Sequence, residues 1–189
     1  AGEGGALYGF RDYGEGGRVE VSNSTFLGNT GRFPGSEGGA IYAYDGEVFF
    51  STFVNNTAST PPDEPGDTPG NSIYKTGTGT IEIGANIFSG GSTFPQLGAG
   101  APSPSIFTDL GGNIFSTSSV TESDIAEDPS AAPDLQVKEG TSVFGKNLAS
   151  MFGTSTPILK TYALNTTQAL GLVAGSPALN AVPNRAPFN

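Results

Sequence analysis

The feature that most constrains this chain is a short phrase that occurs twice. Residues 3–8 read EGGALY, and residues 37–42 read EGGAIY. A second phrase follows each copy, STFLGNT at 24–30 and STFVNNT at 51–57. A unit of this size cannot bury its own apolar face, so it must stack on copies of itself. The sequence therefore predicts a stack of structural repeats.

The composition of the repeats predicts strands. Glycine supplies 29 of the 189 residues, and each glycine inside a helix costs about 1 kcal/mol relative to alanine. Short runs rich in β-branched and aromatic residues lie between the glycines, at 19–21, 48–50 and 81–83. The first and third runs alternate apolar and charged residues, as a strand with one wet face does. We therefore predict an all-β fold.

Repetition also predicts which residues meet. If each strand pairs with its equivalent one coil away, like side chains lie above like, so Phe26 should lie over Phe53 and Asn29 over Asn56. The glycine pairs at 4–5 and 38–39 have two explanations. Either φ is positive there, or successive coils approach too closely for a Cβ atom.

Three insertions interrupt the repeats. Residues 58–70 contain four prolines, which cannot donate to a sheet, and 94–105 and 117–134 are further polar or Pro/Gly-rich stretches. The alternating Thr/Gly residues 76–80 are interpreted as a turn. We predict one domain over 1–189, with repeat coils and ejected loops over 1–133 and an irregular C-terminal cap over 134–189.

Composition excludes several kinds of chemistry. The chain has no Cys and no His, which removes thiolate metal sites and the commonest general base. Its formal net charge of -10 at pH 7 argues against a nucleic-acid partner, because phosphate binding needs a basic surface. No apolar run approaches the ~20 residues of a membrane span. Neither nucleic acid nor a membrane span is expected.

Two short motifs carry a resemblance to a known family. The pattern Gly-Gly-Ala-(Ile/Leu/Val) stands at 4–7 and 38–41, and Phe-x-x-Asn stands at 26–29 and 53–56, in the same order in both units. The chain thereby resembles the polymorphic outer-membrane-protein repeat family. Residues 175–181, GSPALNA, are similar to a closing phrase of many large secreted β-helix proteins.

The resemblance implies a fold, a location and a role. It implies a right-handed, single-stranded parallel β-helix, exported and displayed at a cell surface, often acting in adhesion. The motifs cover the first two units and the C-terminal phrase. The third unit departs from the pattern at 70–74, which read GNSIY, and neither Phe88 nor Phe115 has Asn three positions on.

A tyrosine column is one candidate site. Tyr8, Tyr42 and Tyr74 occupy equivalent positions in successive units. They are expected to form either an aromatic stripe on which sugar rings stack or a structural ladder whose rings pack on each other.

An acidic loop is a second candidate. Asp63, Glu64 and Asp67 place three carboxylates close together in the proline-rich insertion. Carboxylate oxygens suit calcium, although the spacing differs from that of a twelve-residue calcium loop. The alternative is a solvated acidic loop. Calcium is the one cofactor that the sequence suggests.

Three acceptor sequons for N-glycosylation occur, at Asn23, Asn55 and Asn165. In a chain rich in Asn, Ser and Thr they also arise by chance.

The sequence favours a non-enzymatic extracellular or cell-surface module, structural or adhesive, whose partners are a host or neighbouring cell surface, glycans or other copies of itself. Two alternatives remain open. Glu20, Glu47 and Glu82 face outward from predicted strands and would suit a carbohydrate-active lyase, hydrolase or epimerase, because glycoside hydrolysis needs paired carboxylates. An unprotected first coil would instead suit a filament subunit that assembles end to end.

Overall fold

The computed structural model describes residues 5–9, 17–31, 36–59, 69–90, 95–100, 106–115, 135–137, 160–161 and 168–176. Over these residues the regular structure is all β, with short strands joined by turns and bends and no helix. The strands, in chain order, are β1 Leu7–Gly9, β2 Arg18–Ser22, β3 Thr25–Leu27, β4 Ile41–Ala43, β5 Asp45–Phe49, β6 Thr52–Val54, β7 Ile73–Lys75, β8 Thr80–Gly84, β9 Ile87–Ser89, β10 Leu97–Ala99, β11 Ile106–Gly111, β12 Ile114–Phe115, β13 Leu135–Val137, β14 Lys160–Thr161 and β15 Gln168–Ala169.

The strands form three parallel sheets that run along one stack of coils. Sheet A has the order β1-β4-β7-β10, sheet B β2-β5-β8-β11-β13 and sheet C β3-β6-β9-β12. Each of the first four coils contributes one strand to each sheet, β13 adds a fifth strand to sheet B, and every strand of these sheets pairs with its equivalent one coil away. The architecture is a parallel β-helix, which confirms the predicted fold class. Strands β14 and β15 form a separate antiparallel pair.

The strands stay in register although the length of the repeat changes. The corner residues Ser24 and Ser51 are 27 positions apart, whereas Ser51 and Asn86 are 35 apart and Asn86 and Asn113 are again 27 apart. The longer interval contains the proline-rich residues 58–70. The strands on either side, β6 and β7, nevertheless keep their pairing with the neighbouring coils.

A column of phenylalanine rings fills the interior. Phe26, Phe53, Phe88 and Phe115 lie above one another with centroid separations of 4.7, 5.0 and 4.9 Å and near-parallel planes. The last three rings are fully buried, and Phe26 in the first coil is 8% exposed. The centroid separations match the ~4.8 Å distance between paired strands. The predicted placement of Phe26 over Phe53 is confirmed.

The corner between sheets B and C has a left-handed residue in every coil. The left-handed column consists of Asn23, Phe50, Ala85 and Gly112, with φ of 49°, 51°, 55° and 72°. Left-handed backbone is disfavoured for side chains other than Gly, Asn and Asp. The corner therefore imposes a left-handed backbone conformation on Phe50 and Ala85, although their side chains disfavour it.

The next residue in each coil forms a polar ladder, Ser24, Ser51, Asn86 and Asn113. Asn86 Oδ1 accepts the Ser51 N–H at 2.9 Å, and Asn113 Oδ1 accepts the Asn86 N–H at 2.9 Å. Asn86 Nδ2 donates to the carbonyl of Val48 at 2.7 Å. Since both asparagines are fully buried, each carboxamide satisfies backbone groups that a turn would otherwise leave without partners.

A second asparagine contact lies beyond sheet C. Asn29 donates both its N–H and its Nδ2 to Asn56 Oδ1, at 2.9 Å each. Asn56 Nδ2 donates to the carbonyl of Phe26 at 3.0 Å. The predicted placement of Asn29 over Asn56 is confirmed.

The repeated glycines stand where coils approach closely. A Cβ atom on Gly39 would lie 2.7 Å from the backbone N and C of Thr57, and one on Gly5 would lie 3.0 Å from the carbonyl C of Gly39. Neither Gly5 nor Gly39 has a positive φ. Close approach, rather than backbone conformation, therefore explains these two residues. Gly4 lies outside the described residues.

The outer face of sheet C is covered by a later part of the chain. Val54 and Ile114 are buried on this face, and Leu170 and Leu172 pack against them. At these positions the C-terminal segment lies against the side of the stack. Most of the cap predicted over 134–189 falls outside the described residues.

Candidate functional site

The outer face of sheet B holds a column of carboxylates. Residue alternation turns Val19 and Val21 inward, so Glu20 faces outward, and the register places Glu20 opposite Glu47 and Glu47 opposite Glu82. Neighbouring strands lie about 4.8 Å apart. These three residues, the glutamate column, therefore line one wall, in agreement with the outward orientation expected from sequence.

Arg18 joins the first two coils across this wall. Its Nε donates to Glu20 Oε1 at 3.2 Å, its Nη1 donates to Asp45 Oδ1 at 2.9 Å, and its Nη2 donates to Glu47 Oε1. The hydrogen bond to Glu20 and the charges of Glu47 and Asp45 raise the pKa of Arg18 above its ordinary value, and desolvation opposes them. Arg18 therefore stays charged and neutralises part of the column.

Sequence reasoning missed Arg18, although a signal was present. Arg18 is two residues before Glu20, and Asp45 is two residues before Glu47. The repeat therefore puts opposite charges at equivalent positions. In a parallel stack such positions pair directly, as Arg18 and Asp45 do.

The glutamate column can be compared with the carboxylate pairs of glycosidases. Retaining glycosidases hold their two carboxyl groups about 5–5.5 Å apart, and inverting ones about 6.5–9.5 Å. Glu20 and Glu47 lie on neighbouring strands, but one guanidinium bridges both of them. A sugar ring placed between these two residues would have to displace Arg18.

No metal site is evident in the described part of the chain, where no three Asp, Glu, His or Cys side chains are grouped to hold an ion. Asp63, Glu64 and Asp67 lie outside the described residues. The calcium site expected at these three residues stays a prediction.

The tyrosine column forms a ring ladder on the outer face of sheet A. Ring centroids lie 5.2 Å apart between Tyr8 and Tyr42 and 5.2 Å apart between Tyr42 and Tyr74. Tyr42 is 7% exposed and Tyr74 is 2% exposed, whereas Tyr8 is 50% exposed. The register thus aligns the three rings, and Tyr8 presents most of their accessible area.

The Thr/Gly segment 76–80 is a turn that receives an aromatic ring. Residues 77 and 78 form the turn, and Thr80 begins β8. The hydroxyl of Tyr44 hydrogen-bonds to Thr78 Oγ1 at 2.6 Å. A Cβ on Gly79 would lie 2.7 Å from Cδ1 of Tyr44, so the ring requires glycine beneath it.

A buried lysine occupies an inward position that sequence reasoning missed. Lys75 pairs with Ala43 on one side and Ala99 on the other and is fully buried. Its Nζ donates to the carbonyl of Gly77. The alternation of β7, apolar Ile73 inward and Tyr74 outward, was the signal that Lys75 would face inward.

Two of the three sequons lie at exposed corners. Asn23 and Asn55 are exposed and left-handed, with φ of 49° and 51°. Asn165 lies outside the described residues. Glycosylation at all three stays a prediction.

Comparisons with protein-family models, curated proteins and solved structures found no match to this chain. The resemblance to the polymorphic outer-membrane-protein repeats therefore rests on the motifs themselves. The described residues also contain no helix long and apolar enough to cross a membrane.

Proposed function

We propose that this chain is a non-enzymatic structural or adhesive module of an extracellular or cell-surface protein. One observation carries the proposal: the side chains that recur from unit to unit are used to join coil to coil. Phe26 stacks on Phe53, Asn29 bonds to Asn56, and Tyr8 stacks on Tyr42. The residues that repeat in this sequence thus hold neighbouring coils together.

The variable residues support a display role. The proline-rich residues 58–70 lie in the sequence between β6 and β7, and both strands remain in register with their neighbours. A rigid stack that tolerates such insertions is suited to presenting loops, because the scaffold does not depend on their sequence. The cellular location in this proposal comes from the motif resemblance.

Glycans on a host or neighbouring cell are the proposed partners, and Tyr8 is the aromatic residue that would contact them. Half of the Tyr8 surface is exposed, and aromatic rings of this kind provide an apolar face and a polar tip. Tyr42 and Tyr74, in the next two coils, would hold the Tyr8 ring in place by stacking.

The rival function is carbohydrate cleavage, which the alignment of Glu20, Glu47 and Glu82 favours. In that case Glu47, at the centre of the column, would be needed. A structural role for the column predicts instead that its carboxylates and Arg18 join neighbouring coils.

Incubation with a panel of polysaccharides distinguishes a structural or adhesive role from carbohydrate cleavage. The purified chain is incubated with pectate, alginate, hyaluronan and xylan, and unsaturated uronates and new reducing ends are measured. We expect neither product. Release of either product that is lost in Glu47→Gln but kept in Tyr8→Ala would establish an enzyme and refute the proposal.

The adhesive half of the proposal has its own measurement. Retention of the chain on an array of immobilised glycans and on fixed cells is compared for the unchanged protein, Tyr8→Ala and the buried-ring control Tyr74→Phe. We expect retention that Tyr8→Ala weakens and Tyr74→Phe leaves unchanged. No retention on any surface would leave a structural role alone.

A further inference from the structure

Phe50 is a large apolar residue that stays exposed although a coil lies on either side of it. It follows β5 at the corner between sheets B and C and is 42% exposed. On one side the Asn23 N–H donates to the carbonyl of Phe49 at 3.2 Å. On the other side the Phe50 N–H donates to the carbonyl of Gly84 at 3.1 Å. The exposure of Phe50 therefore does not come from a place at the end of the stack.

The backbone of Phe50 is left-handed, with φ of 51°. Bulky side chains rarely adopt this conformation, whereas Asn and Gly adopt it readily. The equivalent residues of the other coils are Asn23, Ala85 and Gly112, so the same corner is built elsewhere by residues that are smaller or better suited to it. Phe50 is thus an exposed aromatic residue at a position where folding favours a different one. Strained residues of this kind cluster at ligand-binding sites.

The residues beside Phe50 can hydrogen-bond to a ligand. Ser22 and Asn23, in the neighbouring coil, are both exposed. A hydroxyl and a carboxamide can each donate and accept hydrogen bonds. Asn23 occupies the same place in its coil as Phe50 does, at the ~4.8 Å spacing of paired strands. An aromatic ring beside such groups suits a sugar, because a pyranose has apolar C–H faces and a rim of hydroxyls.

The charge of sheet B restricts the class of glycan. Glu47 precedes Phe50 by three residues, ~10 Å along an extended chain, and it is the central member of the glutamate column. Arg18 neutralises part of this column. A uronate or sulfated sugar stacked on Phe50 would lie within the ~10 Å over which charges interact at 0.1 M salt. The ligand that fits this corner is therefore a neutral glycan.

We propose that Phe50 is a ligand-contacting residue, on whose ring a sugar of a neutral glycan stacks while Asn23 and Ser22 hydrogen-bond to its hydroxyls. The site is separate from Tyr8, which lies in sheet A. The inference rests on the proposed adhesive function, to which it adds a second contact and the class of glycan. Removing the strained ring should weaken binding without weakening the fold.

Thermal unfolding tests whether the fold needs the ring. Phe50→Asn installs the residue type that stands at this corner in the neighbouring coil. The substitution relieves the left-handed strain and also removes the partial burial of the ring, so these effects oppose each other. The unfolding midpoint should therefore move by no more than about 2–4 °C. Phe50→Ala also lacks the ring but keeps the strain, so it should unfold at a lower temperature than Phe50→Asn.

Retention on immobilised glycans tests the contact. The chain is produced in a host that does not N-glycosylate, so that Asn23 stays unmodified. It is applied to neutral fragments of cellulose, xylan and mannan and to anionic fragments of alginate and hyaluronan. We expect retention on a neutral fragment and weaker retention on the anionic ones. Phe50→Asn should raise the half-maximal concentration about tenfold, and Phe50→Tyr, which keeps an aromatic ring, should leave it unchanged.

Several results would overturn the proposal. If Phe50→Asn is retained as well as the unchanged chain, the ring is not a contact, and a loss in Tyr8→Ala alone would leave the adhesive function intact. A midpoint of Phe50→Asn that falls by far more than about 2–4 °C, or one no higher than that of Phe50→Ala, would mean that the ring stabilises the fold. Stronger retention on the anionic fragments would refute the class of ligand. An unchanged chain that no glycan retains would refute this site and the adhesive function together.

Discussion

Removing the carboxamide of Asn86 should destabilise the stack more than any substitution on its charged face. Asn86 is fully buried in the polar ladder. In Asn86→Ala the Ser51 N–H loses its acceptor, and the carbonyl of Val48 loses the hydrogen bond from the side-chain amide. Asn113 Oδ1 loses the Nδ2 contact at 3.1 Å but keeps the backbone N–H of residue 86.

The magnitude follows from the bonds of the carboxamide. A buried N–H without an acceptor, here that of Ser51, costs about 1–3 kcal/mol, and each of the bonds lost at Val48 and Asn113 contributes about 0.5–1.5 kcal/mol, so the total loss should be about 2–6 kcal/mol. Domains of ordinary stability unfold with about 5–15 kcal/mol. Asn86→Ala should therefore remove a large part of the free energy of unfolding.

Guanidinium denaturation followed by circular dichroism measures this loss. Ser24→Ala is the matched control, because Ser24 occupies the same ladder in the coil of β2 and β3 and its hydroxyl donates a bond to the Ser22 carbonyl at 2.9 Å. The control should cost under about 1 kcal/mol. If Asn86→Ala cost no more than Ser24→Ala, the carboxamide bonds of the ladder would not be what stabilises the stack.

Three further substitutions test other columns by the same unfolding measurement. Ala85→Gly should stabilise by about 0.5–1 kcal/mol, because residue 85 is left-handed with φ of 55°, whereas Ala99→Gly in β10 should destabilise by a similar amount. An unchanged or lower stability of Ala85→Gly would contradict the corner geometry. Phe88→Ala should lower the free energy of unfolding by about 3–5 kcal/mol, since the ring is fully buried between two others. Phe26→Ala should cost about half as much, because Phe26 stacks on one described ring, Phe53. Equal costs for the two variants would count against the ring stack. Ser89→Ala should stabilise by about 1 kcal/mol, because among the described residues the buried Ser89 hydroxyl has no hydrogen-bond partner, and a loss of stability would point to a partner for that hydroxyl.

Repetition made much of the fold predictable. Where the same residue type recurs at the same place, as Phe26 and Phe53 or Asn29 and Asn56 do, pairing follows from identity. The third unit was harder, because Gly70 to Tyr74 keep only part of the first motif. There Ile73 and Tyr74 nevertheless pair with Ile41 and Tyr42.

Positions defined by backbone shape were not predictable. The left-handed column contains Asn, Phe, Ala and Gly, so no residue pattern marks it. The polar ladder changes from Ser51 to Asn86 between coils, which hid its continuity. Packing of Leu170 against the side of sheet C depends on contacts between residues distant in sequence.

The candidate site also has features that the sequence predicts and features that it does not. The outward orientation of Glu20, Glu47 and Glu82 follows from strand alternation, which sequence shows. The Arg18 cluster depends on which strands are neighbours. The difference between Tyr8 and Tyr74 in exposure depends on position along the stack, since over the described residues Tyr8 has a ring neighbour on one side, Tyr42.

Engineered cross-linking tests the stacking of repeats most directly, because the chain has no cysteine of its own. Thr25 and Thr52 are paired across neighbouring coils, at the ~4.8 Å strand spacing that suits a disulfide. Ile87 pairs with Thr52 and so lies two strands from Thr25, about 9–10 Å away. On mild oxidation, the double variant Thr25→Cys with Thr52→Cys should form an intramolecular disulfide, and Thr25→Cys with Ile87→Cys should not. Equal cross-linking of both pairs, or of neither, would contradict a parallel β-helix in this register.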